Sequence, residues 1–332
     1  MVSILIPLRH DARYLARGLA ACFATGEVEV LVLPDEEIAG LDPRARQEPT
    51  GRAGPAAKRN RGARLARGAI LAFLDDDTRP LPGWLDAALP HFEDPAVAAV
   101  GGPAVTPKED PFWARVSGAA YESWMLSGRE RRRYAPTAPA EVDDWPSCNL
   151  LVRRSAFEAV GGFGTNFWPG EDTEFCLALV KKGWKIRYEP RAVVEHHRRP
   201  SLRKHFAQIA GYGRHRGYFA KRFPETSLRA QYFAPSALLI GFLALLAAAF
   251  LGVPRAAEAL ALLAAGYLLL AASSVARAGP RLLLPSVGVI LGSHLAYGWA
   301  FLRGLAARRL PEERRDGENL KDNKPYHAPP SP

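Results

Sequence analysis

The sequence predicts an α/β domain with a mostly parallel sheet and helices on both faces, followed by a C-terminal transmembrane helical region. Three observations carry this prediction. Short apolar runs alternate with helical patterns through the first 105 residues, as strand–helix–strand units do. Charge is unevenly spread, since residues 233–302 contain only Arg255, Glu258, Arg277 and Arg281 as charged side chains. The whole chain has 332 residues, 44 Lys and Arg against 34 acids (net +10), 48% apolar and 23% charged residues. That is long enough for a sizeable core and excludes a disordered, collagenous or disulfide-rich chain. Cys22, Cys148 and Cys176 are odd in number and lack metal spacing, so they read as buried thiols in a reducing compartment.

Val2–Pro7 (VSILIP) reads as a buried strand closed by a proline. Its short apolar run meets Arg9, His10 and Asp11 too soon for a signal peptide. Asp11 is placed to cap a helix through Ala24 that carries Leu15, Leu19 and Phe23 on one face. Val28–Leu33 is a second strand, Ala56–Arg67 a second helix, Ala69–Leu74 a third strand and Val97–Val105 a fourth. Residues 106–146, rich in Pro, Arg and aromatics, read as irregular. Structure resumes with a strand at Ser147–Val152, a helix at Ser155–Val160 and a turn at Gly161–Gly164. A helix at Thr173–Lys182 and strands at Trp184–Tyr188 and Ala192–Glu195 complete the domain. In parallel sheets ligands bind beyond the C-terminal strand ends, which directs attention to the residues after Pro7, Leu33 and Leu74.

From His196 to Pro224 there are eight Lys and Arg, no acid, and five interleaved aromatics. This reads as an interfacial segment on anionic lipid rather than a nucleic-acid surface, because an apolar run begins nine residues later. Stretches near 234–253, 257–276 and 282–302 are each long enough to cross a bilayer and have no polar face, unlike the helices of a soluble bundle. Flanking charge puts the N-terminal domain in the cytoplasm. Three crossings would then export a tail that begins with Arg303, Arg308 and Arg309. The third stretch holds Pro285, Gly288, Gly292 and Gly298, so either spanning or re-entry is open.

Three constellations carry chemistry. Asp75-Asp76-Asp77 directly follow an apolar strand. Adjacent carboxylates repel, so they suit either a divalent cation with hard oxygen ligands or a solvated turn. Glu171 and Asp172 lie at a helix start, where a carboxylate serves as a cap or as a general base within reach of a substrate hydroxyl. His196 ends a strand 24 residues beyond Asp172, where imidazole is either structural or a ligand for a Mn²⁺-type ion.

The order Ile6-Pro7, a strand ending near Asp35, Lys58-Arg59-Asn60-Arg61-Gly62, Phe73–Asp77, Gly161-Gly162-Phe163, Gly170-Glu171-Asp172 and His196 resembles the family 2 glycosyltransferases of GT-A fold. The resemblance covers about residues 2–200, and the C-terminus is similar to membrane-bound bacterial members that build cell-envelope glycans. It implies a Rossmann-like GT-A domain. Asp75, Asp77 and His196 match metal ligands, for Mn²⁺ or Mg²⁺. Pro7, Arg9, Asp35, Arg59, Asn60, Asp75 and Asp76 match positions on the nucleotide side. Asp172 matches the base of an inverting displacement, with Glu171 beside it. The second strand departs from the family pattern, because Pro34 stands where an acid is usual and weakens the match to a uracil contact.

The chain therefore divides into a nucleotide-sugar glycosyltransferase domain at 1–200 and a basic amphipathic interface segment at 201–232. A transmembrane region follows at 233–302, with a polar tail at 303–332 that is expected to be disordered. The expected activity is transfer from a nucleotide-sugar, UDP-sugar foremost, to a lipid-linked or polysaccharide acceptor at the bacterial inner membrane. The expected partners are this donor, the acceptor and membrane lipids, without nucleic acid. A polyprenyl-phosphate glycosyl synthase and a non-catalytic scaffold of the same fold are the alternatives. The absence of GxGxxG argues against a dinucleotide enzyme.

Overall fold

A computed structural model of the chain describes residues 1–9, 12–164 and 167–312. Its strands are β1 Val2–Pro7, β2 Val28–Leu33, β3 Arg46–Gln47, β4 Ile70–Leu74, β5 Thr78–Pro80, β6 Val97–Gly101, β7 Ala104–Val105, β8 Ala140–Val142, β9 Asn149–Arg153, β10 Lys185–Tyr188 and β11 Val194–His196. Its helices are α1 Leu15–Ala24, α2 Pro55–Leu65, α3 Trp84–Ala88, α4 Phe112–Glu122, α5 Trp124–Ser127, α6 Arg154–Val160, α7 Glu171–Lys181, α8 Leu202–Arg222, α9 Pro224–Ser227, α10 Ala230–Phe250, α11 Ala256–Ser274 and α12 Pro280–Ala306. The chain separates into two compact units. Among the described residues, one comprises 1–105, 135–197 and 310–312; the other comprises 106–134 and 198–309.

The first unit is built on an eight-stranded sheet of order β3-β2-β1-β4-β9-β6-β10-β8. The β3/β2, β2/β1, β1/β4 and β6/β10 pairs are parallel, whereas β9 runs antiparallel to both neighbours. Strand residues alternate between two buried faces. Ile4, Ile6, Val30, Val32, Ala72 and Leu74 pack with α1 residues Leu15, Leu19 and Cys22 on one face. Leu5, Leu31, Leu33, Leu71 and Phe73 pack with Phe157, Phe163 and Phe175 on the other. Burial on both faces explains why the strands read as continuous apolar runs.

Three expectations change. The single strand expected at 97–105 is two strands in different sheets. A Cβ on Gly102 would lie 1.7 Å from the Ala192 carbonyl oxygen, and Pro103 has no N–H for a ladder. β7 therefore leaves the main sheet for a second one of order β5-β11-β7. Residues 106–134, expected to be irregular, hold α4, α5 and a 3₁₀ segment at Gly128–Arg133. Short helices gain their stability from packing, and Val116 and Ala120 share a core with Val287 and Ile290, far away in sequence. The helix expected to start at Asp11 starts at Leu15 with Tyr14 as N-cap, and Asp11 lies outside the described residues, as does most of the expected tail.

In the second unit α10, α11 and α12 are long and apolar enough to cross a membrane, with mean hydropathies of 2.2, 1.7 and 1.3. The glycines that punctuate α12 are contact points. A Cβ on Gly304 would lie 2.0 Å from the Arg214 carbonyl oxygen, and one on Gly217 of α8 would lie 2.1 Å from that of Phe301. Small residues let these two helices touch backbone to backbone.

Candidate active site

Parallel strands end together, so Pro7, Leu33 and Leu74 deliver their following residues to one edge of the sheet. Antiparallel β9 begins at that same edge, with Asn149 opposite Leu74. The stretch Asp144–Cys148, just before β9, therefore joins the site, a placement no local pattern announced.

After β4 the chain turns sharply. The Thr78 N–H and hydroxyl both donate to the Asp75 carbonyl oxygen, at 3.1 and 2.7 Å. β5 then pairs with β11, placing His196 opposite Thr78 and beside Asp77. An Arg79–Glu195 ion pair fastens the two strands. His196 Nε2 lies 3.0 Å from Asp77 Oδ1, and the Cys148 thiol also bonds the ring. Asp75, Asp77 and His196 each offer one ligand atom, all within 4.8 Å of one another. Two carboxylates and an imidazole, half-buried, suit a divalent cation such as Mn²⁺ or Mg²⁺. Burial alone would lower the His196 pKa, but the Asp77 carboxylate outweighs it and lifts the ring to about 10. Burial, then repulsion from Asp77 and Asp75, pushes Asp76 up to about 7.

The second carboxylate group arrives on α7, whose first turn carries Glu171, Asp172 and Glu174 at the favourable end of the helix dipole. Glu171 is 4% exposed, while Asp172 is half-buried and so nearer to solvent. Asp172 accepts from the N–H of Thr173 at 2.8 Å and of Ser147 at 3.4 Å. Thr173 in turn donates to Asp144 at 3.2 Å, binding the stretch before β9 to the helix start.

Arg59 joins the two groups. It is 3% exposed, and its Nη1 donates to Glu171 Oε1 and its Nη2 to Asp75 Oδ1, each at 2.9 Å. Carboxylates from positions 75 and 171 thus converge on one guanidinium. Burial, then the Asp172 charge, raises the Glu171 pKa against the opposing pull of Arg59.

The remaining expected residues surround this centre. Asp35 is buried and paired with Lys58 at 2.5 Å, and Lys58 also donates to the carbonyls of Leu8 and Leu33. Lys58 thus closes the ends of β1 and β2, a role the sequence reading left unassigned; its signal was a lysine on the inward face of a helix start rich in alanine. Asn60 is spent on the backbone of Phe163, donating to its carbonyl and accepting from its N–H, both at 2.9 Å. Gly162 permits this, having φ +73° and leaving a Cβ only 2.6 Å from Asn60 Oδ1. Pro7 is half-buried at the end of β1 and Arg9 is exposed. A cavity of about 380 Å³ lined by His91, Asp94, Arg187 and Tyr188 contains none of these residues.

Comparison with known proteins gives consistent matches. The family described as "Glycosyl transferase family group 2" matches residues 70–275. A pre-mycofactocin glycosyltransferase from Mycobacterium tuberculosis is 39% identical over 158 residues, covering 47% of this chain. The match spans 32% of that protein, about a third of its length. The glycosyltransferase AglE of Haloferax volcanii is 26% identical over 267 residues, covering 73% of this chain and 81% of that one. Among solved structures, the mannosyltransferase PcManGT from Pyrobaculum calidifontis, in complex with GDP-Man and Mn²⁺, shares the fold with a TM-score of 0.63 at 21% identity. That superposition covers 93% of this chain and 88% of the other.

Proposed function

The chain belongs to glycosyl transferase family group 2, and on that premise we propose that it is a membrane-bound, inverting glycosyltransferase using a nucleoside-diphosphate sugar. The observation that supports this best is the Arg59 bridge. It brings a metal-type Asp/Asp/His group and a helix-start carboxylate pair to the same edge of the sheet. Asp75, Asp77 and His196 would hold a divalent metal, Mn²⁺ or Mg²⁺. When bound, that ion supplies charge neutralisation for the donor diphosphate.

Asp172 is the base. It accepts the proton of an acceptor hydroxyl as that oxygen bonds to the anomeric carbon, and the bond to the nucleoside diphosphate breaks with its electron pair leaving on the diphosphate. Asp172 suits this role better than Glu171, because it is the more open of the two while Glu171 is locked to Arg59. Pro7, Arg9 and Asp35 line the nucleotide side, Asp76 lies within it, and Arg59 and Asn60 support it from α2. UDP-sugars are the first donors to test, and the GDP-Man of the archaeal fold relative makes GDP-sugars the second. The acceptor is a lipid-linked glycan or a growing polysaccharide. The enzyme resides in a bacterial cytoplasmic membrane with its first unit on the cytoplasmic side, and its basic helix α8 faces anionic lipid.

The test uses the detergent-purified full chain. UDP-, GDP- and dTDP-sugars are screened by thermal shift with and without Mn²⁺ or Mg²⁺, then assayed for transfer. A stabilisation that needs nucleotide and metal together is expected. Asp172→Asn is expected to keep that stabilisation and lose about a hundredfold or more in turnover. Unchanged turnover would remove Asp172 as the base.

A further inference from the structure

We propose that α12 lies along the cytoplasmic membrane interface, facing lipid headgroups, and that the chain crosses the bilayer only at α10 and α11. Length and composition alone would let α12 span, so the argument rests on its neighbours.

The C-terminal half of α12 is walled by α8. His205 of α8 hydrogen-bonds Ser293 at 2.9 Å, Gly213 meets the Tyr297 carbonyl, Gly217 meets that of Phe301, and Lys221 Nζ donates to the Ala307 carbonyl. α8 carries Arg203, Lys204, Arg214, Arg216, Lys221 and Arg222, and a helix so charged does not sit in hydrocarbon. The first half of α12 shares a core with Val116 and Ala120 of α4. α4 is too short, at 11 residues, to span. Buried residues fill 39% of the apolar window of α12, against 6% and 11% for α10 and α11.

α10 and α11 behave differently. α10 meets α12 through its first turns: the Phe233 and Phe301 rings are 4.7 Å apart, and the Ser236 hydroxyl donates to the Gly298 carbonyl at 2.9 Å. Beyond those turns none of its side chains is fully buried, and Phe250 near its end is 91% exposed. α11 meets α12 through its second half, where Tyr267 and His294 hydrogen-bond at 2.8 Å and Tyr267 and Ala271 share a core with Leu282 and Ile290. The start of one arm and the end of the other lie at the same end of a helical hairpin. Both rest on α12, which therefore crosses the open end of the hairpin instead of forming a third arm.

The outward face of α12 is an apolar stripe of Leu284, Leu291, Leu295 and Trp299, flanked by Arg281 and Arg303. That pattern suits a helix half-sunk at the headgroup boundary. Two crossings also resolve the charge conflict. Arg277, Arg281, Arg303, Arg308 and Arg309 all remain on the cytoplasmic side with α8, whereas three crossings would export the last three.

The test is labelling of single-site variants of the full chain in intact bacterial cells with a membrane-impermeant maleimide. Val253→Cys, in the turn between α10 and α11, is expected to label in intact cells. Arg309→Cys is expected to label only after permeabilisation. The unsubstituted chain, whose cysteines are all buried, is the baseline. Labelling of Arg309→Cys in intact cells would overturn the proposal, and so would protection of Val253→Cys until permeabilisation. If a variant does not accumulate, reporters fused after Pro332 of the unsubstituted chain read the same side. A fluorescent GFP fusion and an inactive alkaline phosphatase fusion support two crossings, and the reverse pattern refutes them.

Discussion

Replacing Arg59 with methionine removes a buried guanidinium that hydrogen-bonds Glu171 and Asp75 at 2.9 Å each. Removing one partner of a buried ion pair costs about 3–5 kcal/mol, because the other charge is left uncompensated. Glu171, 4% exposed, bears most of this, since Asp75 keeps 32% of its side chain in solvent. Glu171 has one escape, which is to bind a proton. Its pKa already stands at about 7 with Arg59 in place, so at pH 7 and below that escape costs almost nothing, whereas at pH 9 it costs about 1.36 × (9 − 7) ≈ 3 kcal/mol. The loss at Glu171 is therefore small at neutral pH and capped at about 3 kcal/mol at pH 9. The sign follows from linkage: a carboxyl whose folded pKa lies above its unfolded one destabilises the fold increasingly as pH rises. Thermal unfolding of the detergent-purified variant is expected to show a deficit of about 6–12 °C at pH 9, shrinking to a few degrees at pH 6, from roughly 2–4 °C per kcal/mol for a unit of this size. A deficit equal at both pH values, or absent at pH 9, would refute the assignment of Arg59 as the counter-charge of Glu171.

Three further outcomes are expected. Gly217→Ala places a methyl group 2.1 Å from the Phe301 carbonyl oxygen and should cost about 1–3 kcal/mol or more. Gly288→Ala, with nothing within 4 Å, is the control and should melt like the parent; equal melting of both variants would contradict the close α8–α12 contact. Glu29 is buried, which works against its charge, yet bonds from the Ser3 hydroxyl and from Arg67 hold its carboxyl below the ordinary range. Its contribution is present above about pH 4.5 and fades as pH falls, so Glu29→Gln should lose about 1–3 kcal/mol at pH 7 and little near pH 3; a pH-independent loss would refute this. Asp77→Asn should abolish stabilisation by Mn²⁺ with nucleoside diphosphate, as monitored by melting temperature across a metal titration. A full Mn²⁺ response in that variant would take Asp77 out of the metal group.

Much of this was legible in one dimension because the signals were local. The runs at 2–7, 28–33 and 70–74 are strands buried on both faces, so each reads as a block of Val, Leu and Ile. The acids at 75–77 and 171–172 stand where apolar patterns stop. The three apolar stretches show by length and composition alone that they could cross a membrane. Other features required distant partners. β9 looks like any strand, and only its insertion between β4 and β6 brings Ser147 and Cys148 to the site. α4 hides in a stretch rich in Pro and Arg because the residues that bury it come 170 positions later.

By itself the sequence determined the identities of the acidic and imidazole groups, the periods of the strands and the apolar length of the three segments within residues 233–302, since each depends on a side chain and its immediate neighbours. The tertiary structure alone decided that Arg59 would hold Asp75 and Glu171 together, that Lys58 would close two strand ends, and that glycines 213, 217 and 304 would be contacts instead of breaks. Those outcomes depend on direction and distance between segments far apart in the chain, and a linear order of residues carries no such distances.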